Sequence, residues 1–266
     1  MTAAIVIPAR MASMRFPNKP LARIKGKTMI ERVWELGMAV QGASEVVIAT
    51  DSEELKGVAE GFGAKVVMTS PHHLTGTDRV AEVAAMPEMP HAIFFSFQGD
   101  AVLTPPWVIE EVLRVMLADP TILLATPAVH LQGQALDDFV ESKRQGSTSG
   151  TSVVFDLKGD ALYFSKTLIP YDRSEKKAHV YRHIGLYAYR REILSTLGAL
   201  PEGRFEKAEK IEVLRALENG IKVRVVPVDY RGRTHGSVDR PEDIAFVESV
   251  IEREGELLVE GRKGET

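Results

Sequence analysis

Along this chain, apolar residues gather in short unbroken runs, and between the runs they recur every three or four positions. Ala3 to Ile7, Val46 to Ala49, Lys65-Val66-Val67-Met68, Ala92 to Phe97 and Ile122 to Ala125 are the runs. A half-exposed strand would alternate apolar with polar, so these runs predict strands buried on both faces. Between them, Met29 to Val40 carries Ile30, Val33, Trp34, Leu36 and Met38 at helical spacing, and Thr77 to Ala85 reads as a helix. Ser52 stands where it can cap a helix carrying Leu55, Val58 and Ala59. Pro105-Pro106 opens another helix, since proline suits the first turn.

Strands alternating with helices predict a mostly parallel, doubly wound α/β sheet. Right-handed crossovers then place ligands at the carboxyl ends of the strands. The segments there are Pro8 to Lys19, Thr50-Asp51 and Gln98-Gly99-Asp100.

The pattern changes near residue 130. Gln145 to Thr151 is a small polar loop. Val153 to Asp156 and Ala161 to Phe164 flank Lys158-Gly159-Asp160 as a hairpin. His183 to Tyr189 predicts a strand, and Glu206 to Glu218 a helix closed by Asn219-Gly220 in a left-handed cap. Ile221 to Val228 predicts a strand, and Arg240 to Glu252 a helix introduced by Asp239. The expected organisation is a nucleotide-binding α/β domain from residues 1–130 and 206–254, an inserted subdomain at 131–205, and a charged tail at 255–266.

Composition narrows the reading by exclusion. Hydrophobic residues make up 44% and charged residues 26% of 266 positions, ordinary values for a globular protein. The net charge is −4, so no basic field points to nucleic acid, and no basic amphipathic stretch points to a membrane surface. Without cysteine there is no disulfide, thiolate metal site or cysteine nucleophile. No apolar run reaches the roughly 18 residues a membrane span needs. The start has no secretory pattern, so the expected compartment is the cytoplasm.

Phosphate chemistry must therefore come from a local cluster. The loop from Pro8 to Lys19 holds Arg10, Arg15 and Lys19 and no acid, and offers the cations and backbone N–H groups that a polyphosphate needs. A solvated basic loop reads the same way. Gly26-Lys27-Thr28 echoes the end of a P-loop, but Leu21 stands where its first glycine is required. No G-x-G-x-x-G follows the first strand. Asp100 suits a magnesium ion bridging phosphate oxygens, or simply a turn. Asp239 is compatible with the same role, or with capping the last helix. His72-His73 reads as loop, and Trp34 and Trp107 as core.

In order along the chain, Ile7-Pro8-Ala9-Arg10 with Arg15, Pro17, Lys19, Pro20 and Leu21, then Ala49-Thr50-Asp51, Thr75-Gly76-Thr77-Asp78-Arg79, Phe97-Gln98-Gly99-Asp100, Ala161 to Ser165, Ile169-Pro170, His183 to Tyr189, Leu214 to Glu218 and Val238 to Asp243 form a series. Each motif is weak alone, but the ordered set resembles the CMP-Kdo synthetases, the 3-deoxy-manno-octulosonate cytidylyltransferases. The resemblance implies a Rossmann-like nucleotide-diphospho-sugar transferase fold, with the middle segment making a homodimer beside the sugar pocket. It implies that Arg10, Arg15 and Lys19 hold the triphosphate of CTP together with Pro8 and Ala9. Gln98 and the segment of Thr75, Gly76, Thr77 and Arg79 would help place the cytidine. Asp100 and Asp239 would bind Mg²⁺. His183, Tyr187, Glu212, Lys166 and Arg182 would face the sugar acid. CMP would pass to the acceptor by in-line attack on the α-phosphorus, for surface-glycan (lipopolysaccharide) synthesis.

Departures fall mainly on the sugar side. Ala101-Val102 follow Asp100 where the family has Glu-Pro, Ser152 replaces a lysine, Lys166 an arginine, and Val213 a glutamine. Lost polar contacts shift discrimination, so the expected acceptor is a sugar acid related to Kdo but different from it. An amino-Kdo, another ulosonic acid or a non-sugar acid stays open, as does a nucleotide-binding regulatory protein.

Overall fold

A strand apolar at every position has to be covered on both faces, as strands are in parallel sheets flanked by helices. The computed structural model describes residues 1–11, 16–171, 173 and 179–258, and in it the predicted runs become strands, nearly all buried except Lys65–Met68, which is an edge strand and at most half-buried. The chain forms two compact units: Met1–Glu110 with Tyr230–Thr266, and Glu111–Asp229.

The first unit begins with β1 (Ala3–Pro8), a 3-10 turn (Lys19–Leu21), the short pair β2 (Arg23–Ile24) and β3 (Lys27–Thr28), and α1 (Met29–Met38). It continues through β4 (Glu45–Thr50), α2 (Glu53–Gly61), β5 (Lys65–Met68), α3 (Gly76–Ala85), β6 (Ile93–Phe97) and the start of α4 (Pro106–Ala118). The strands β5-β4-β1-β6 pair in parallel in that order. Local chemistry starts each helix. Thr28 and Glu31 form a capping box on α1, Thr75 and Asp78 form one on α3, and Ser52 Oγ accepts the Leu55 N–H at 3.2 Å on α2. Gly26-Lys27-Thr28 thus makes a hairpin and a helix start. Trp34 and Trp107 are only half-buried. Trp34 packs on Phe62, and Arg231 lies over Trp107 at 4.6 Å.

The second unit holds the rest of α4, β7 (Leu124–His130), α5 (Gly133–Arg144), β8 (Thr151–Phe155), β9 (Ala161–Ser165), β10 (Tyr181–His183), β11 (Leu186–Arg190), α6 (Arg191–Ala199), α7 (Arg204–Glu209), α8 (Leu214–Glu218) and β12 (Arg224–Val228). Strand β7 pairs antiparallel with β10 and β11 and in parallel with β12, while β8 lies between β10 and β9. The expected hairpin is present. Asp156 accepts the N–H groups of Lys158 and Asp160 at 2.8 and 2.9 Å, and Gly159 takes a φ of +86°.

Three sequence expectations change here. The strand expected over 183–189 is two strands, broken at Ile184-Gly185, where the Thr126 hydroxyl donates to the carbonyl of Leu186. The helix expected over 206–218 is also split. Lys210 enters the left-handed region (φ 53°) and closes α7 through its N–H on the Glu206 carbonyl, while Gly220 (φ +72°) ends α8 as expected. The last helix, α9 (Asp243–Glu254), returns the chain to the first unit, and it starts later than Arg240. No helix among the described residues is long and apolar enough to cross a membrane.

Candidate functional site

In the first unit β1, β4 and β6 run parallel and in register, with Pro8 opposite Ala49 and Val6 opposite Ser96, so their carboxyl ends open on one edge. Ligands of parallel α/β sheets bind at such an edge. The Ala9 N–H donates to the Ala49 carbonyl at 2.9 Å and ties the start of the basic loop to β4. Glycines let the neighbouring loops close in. A Cβ on Gly76 would stand 3.4 Å from both the Pro8 ring and the Gln98 amide, and one on Gly99 3.3 Å from the Pro8 carbonyl oxygen. Pro8, Gly76, Gln98 and Gly99 are thereby brought together, and Gln98 Nε2 donates to Ser96 Oγ at 3.1 Å.

Beside them, Lys19 gathers two acids. Its Nζ is 2.5 Å from Asp100 Oδ2 and 3.9 Å from Asp239 Oδ1, and the carboxylates are 28% and 49% exposed. The capping alternative for Asp239 does not hold. The last helix starts at Asp243 with Glu242 in the N-cap position and no side-chain cap, and Asp243 accepts the N–H groups of Asp239 and Arg240, in the turn before the helix, at 2.7 and 2.8 Å. The carboxylate of Asp239 is left turned toward Lys19, and the Val238 N–H donates to the Asp100 carbonyl at 3.3 Å, joining the two loops.

These residues suit a magnesium ion bound with a polyphosphate. Mg²⁺ is usually held by one or two carboxylates plus substrate phosphates rather than by an all-protein cage. Two acids already share one cation here, and the described residues contain no cluster of three or more potential ligands.

The other expected nucleotide residues are placed as follows. Arg10 is exposed, and Arg15 lies outside the described residues. Thr75 and Asp78 are engaged in the α3 capping box. Thr77 is buried. Arg79 is buried too; it donates to the Thr69 hydroxyl and lies 3.6 Å from Asp51. That places it beneath the Thr50-Asp51 loop, where it braces the edge.

The residues expected on the sugar side all lie in the second unit. His183 is buried between the Phe164 ring, 5.0 Å away, and the Tyr187 ring, 5.5 Å away. Its Nε2 is 2.8 Å from Thr126 Oγ1. The Thr126 proton goes to Leu186, so the imidazole donates from Nε2 and keeps a lone pair on Nδ1. Burial, with Lys166 nearby, pushes the imidazole pKa down to about 3. Burial and the charge of Glu212 push the Tyr187 phenol up. Lys166 Nζ donates to Thr151 Oγ1 at 3.0 Å. Arg182 lies over the Phe139 ring at 5.5 Å, opposite Ser152 in the β8–β10 register.

Two residues in this group were not anticipated. Glu209 accepts the Ser165 hydroxyl and the Lys166 N–H, both at 2.7 Å. Lys143 donates to the carbonyls of Ser147, Ser149 and Gly150 at 3.3, 2.7 and 2.8 Å. A lysine in the last turn of a helix, followed by a Gly/Ser-rich loop, was the available signal.

The cytidylyltransferase family profile matches residues 4–223. The chain belongs to the cytidylyltransferase family. It is 48% identical to a 3-deoxy-manno-octulosonate cytidylyltransferase of Maricaulis maris, over 97% of this chain and all of that one. An 8-amino-3,8-dideoxy-manno-octulosonate cytidylyltransferase of Shewanella sp. is 39% identical over 92% of this chain and 96% of its own. Among solved structures, a CMP:2-keto-3-deoxy-manno-octonic acid synthetase complexed with CTP superposes with a TM-score of 0.84 at 36% identity, covering 96% of this chain and 100% of that one. The mixed α/β fold of this cytidylyltransferase is thus that of the CTP-bound synthetase.

Proposed function

We propose that this enzyme transfers CMP from CTP to a 3-deoxy-2-keto sugar acid of the Kdo type, releasing pyrophosphate. The observation that carries the reading is Lys19 held between Asp100 and Asp239 beside the Pro8-Ala9-Arg10 loop. Full-length similarity to a 3-deoxy-manno-octulosonate cytidylyltransferase supports the acceptor class. The similarity to an 8-amino enzyme supports a second acceptor, the amino-Kdo.

The chain's own groups divide the work. Arg10, Arg15 and Lys19 neutralise the triphosphate, and Pro8, Gly76 and Gln98 frame the nucleotide. Asp100 and Asp239 hold Mg²⁺, which when bound neutralises phosphate charge and acidifies the attacking hydroxyl. His183, neutral at working pH, donates no charge to the acceptor and offers it a hydrogen-bond acceptor on Nδ1. Lys166 and Arg182 take the acceptor's carboxylate. The sugar hydroxyl then displaces pyrophosphate in line at the α-phosphorus, and catalysis comes from positioning and charge. The working form is a cytoplasmic homodimer.

The test is pyrophosphate release from CTP and Mg²⁺ with a panel of acids: Kdo, 8-amino-Kdo, other ulosonic acids and a non-sugar 2-keto acid. Turnover is expected with an octulosonate and CTP, and far less with UTP or ATP. Turnover with no acid, or with the non-sugar acid alone, refutes the reading.

A further inference from the structure

Lys143 lies on none of the motifs that carry the family resemblance, yet its ammonium bonds three backbone carbonyls. Its ammonium reaches from the last turn of α5 back over the loop that follows, and spends its three N–H groups on three carbonyls of that loop. The loop needs such a clasp. Gly146 and Gly150 both take left-handed φ values, +80° and +71°. At Gly150 even a methyl group would meet the Phe139 ring at 2.9 Å and Arg182 Nε at 3.3 Å. Thr151, next in the chain, receives the Lys166 ammonium. Arg182 and Lys143 lie against the same ring, Phe139, at 5.5 and 5.1 Å. Beneath them Ser152 is wholly buried, and its hydroxyl has no hydrogen-bond partner among the described residues. One loop of a few residues therefore lies against both cations assigned above to the acceptor, and a single lysine side chain ties three of its carbonyls together.

We infer that Lys143 is a positioning residue for acceptor binding: by clasping the Ser147–Gly150 carbonyls it holds Lys166 and Arg182 in the arrangement that receives the acceptor's carboxylate. This rests on the proposed acceptor reading and adds a residue to it.

The charge state of the clasp matters as well. Burial pushes the Lys143 pKa down to about 8; Lys166 and Arg182 push in the same direction and Glu209 opposes them. A neutral amine has two N–H groups for three carbonyls, so the clasp loosens as pH rises through that value.

The experiment compares wild type, Lys143→Met and Lys143→Arg in the pyrophosphate assay, with amide hydrogen exchange of the 145–151 loop in parallel. In Lys143→Met the acceptor KM should rise about tenfold, the worth of one charge-assisted interaction. The KM for CTP and kcat should stay within about twofold, and the loop amides should exchange faster. Lys143→Arg should recover most of the acceptor KM. In wild type the acceptor KM should climb between pH 7 and 9, and in Lys143→Arg it should stay flat. An unchanged acceptor KM in an active Lys143→Met enzyme overturns the inference, and so does a parallel rise in both KM values. If Lys143→Met does not fold, identical pH profiles of wild type and Lys143→Arg overturn it. Wild type inert toward every acid defeats the acceptor reading itself, and the inference falls with it.

Discussion

At the scale of single residues, charge placement separates roles that the sequence left open. Asp100 and Asp239 each had an ordinary alternative as a turn or capping residue. The last helix has Glu242, not Asp239, in its N-cap position, and Lys19 draws both carboxylates to one point. Asp100→Asn keeps the shape and removes a charge. It is expected to lower kcat by about two to four orders of magnitude while CTP still binds. Isothermal titration with CTP beside the pyrophosphate assay checks this, and loss of both together would assign Asp100 to binding. His183 makes the opposite kind of statement. Its imidazole titrates near 3 in the folded state and near 6.5 when unfolded. Between those values the unfolded chain holds a proton that the native one lacks. The stability from burying neutral His183 is thus fully present above pH 6.5 and is lost as pH falls toward 3, by up to about 1.4 kcal/mol per pH unit. Urea unfolding at pH 7, 6, 5 and 4 should show a shallower decline in His183→Gln than in wild type. An NMR titration of His183 with a midpoint near 6.5 would contradict it.

At the scale of elements, legibility followed the strength of the period. Strands β1, β4 and β6 are mostly apolar, with only Glu45, Thr50 and Ser96 polar, because they are buried almost along their whole length, and their ends carry the loops singled out for chemistry. The cap on α2 follows from one side chain, Ser52, whereas α1 and α3 are each started by a two-residue capping box. What escaped has physical reasons. Helix α5 buries only Phe139 and Val140, so its helical period is faint, and with it Lys143 went unremarked. The break between α7 and α8 depends on Lys210 adopting a left-handed backbone, which lysine does not advertise. The interruption between β10 and β11 is set by Thr126, far away in sequence. The burial of Arg79 on Thr69 and Asp51 is a tertiary fact that its motif does not show. Sequence motifs mark where chemistry sits, whereas the residues that brace those motifs emerge only when the elements are packed.

At the scale of the whole molecule, the two proposed ligands divide between the two compact units. Every residue assigned to CTP and metal, from Pro8 through Asp100 and again at Asp239, belongs to the unit of Met1–Glu110 and Tyr230–Thr266, and every residue assigned to the acceptor belongs to Glu111–Asp229. Most departures from the family motifs fall on the acceptor's side of that division: Ser152, Lys166 and Val213 belong to the second unit, and Ala101-Val102 to the first. A ligand that binds only native groups slows local opening where it binds, by RT ln(1 + [L]/Kd), and amide exchange reads that opening segment by segment. CTP with Mg²⁺, at about a hundred times its Kd, should therefore protect the amides around Ala9, Gly76, Gly99 and Val238 by up to about 2.7 kcal/mol. The β8–β9 hairpin and the 145–151 loop should exchange as in the free enzyme. Adding the acceptor with a non-hydrolysable CTP analogue should then protect the segments around Thr151, Lys166 and His183. Protection by CTP alone that centres on residues 111–229 would mean that the nucleotide is held by the second unit, and the assignment of Arg10, Lys19, Asp100 and Asp239 would have to be abandoned.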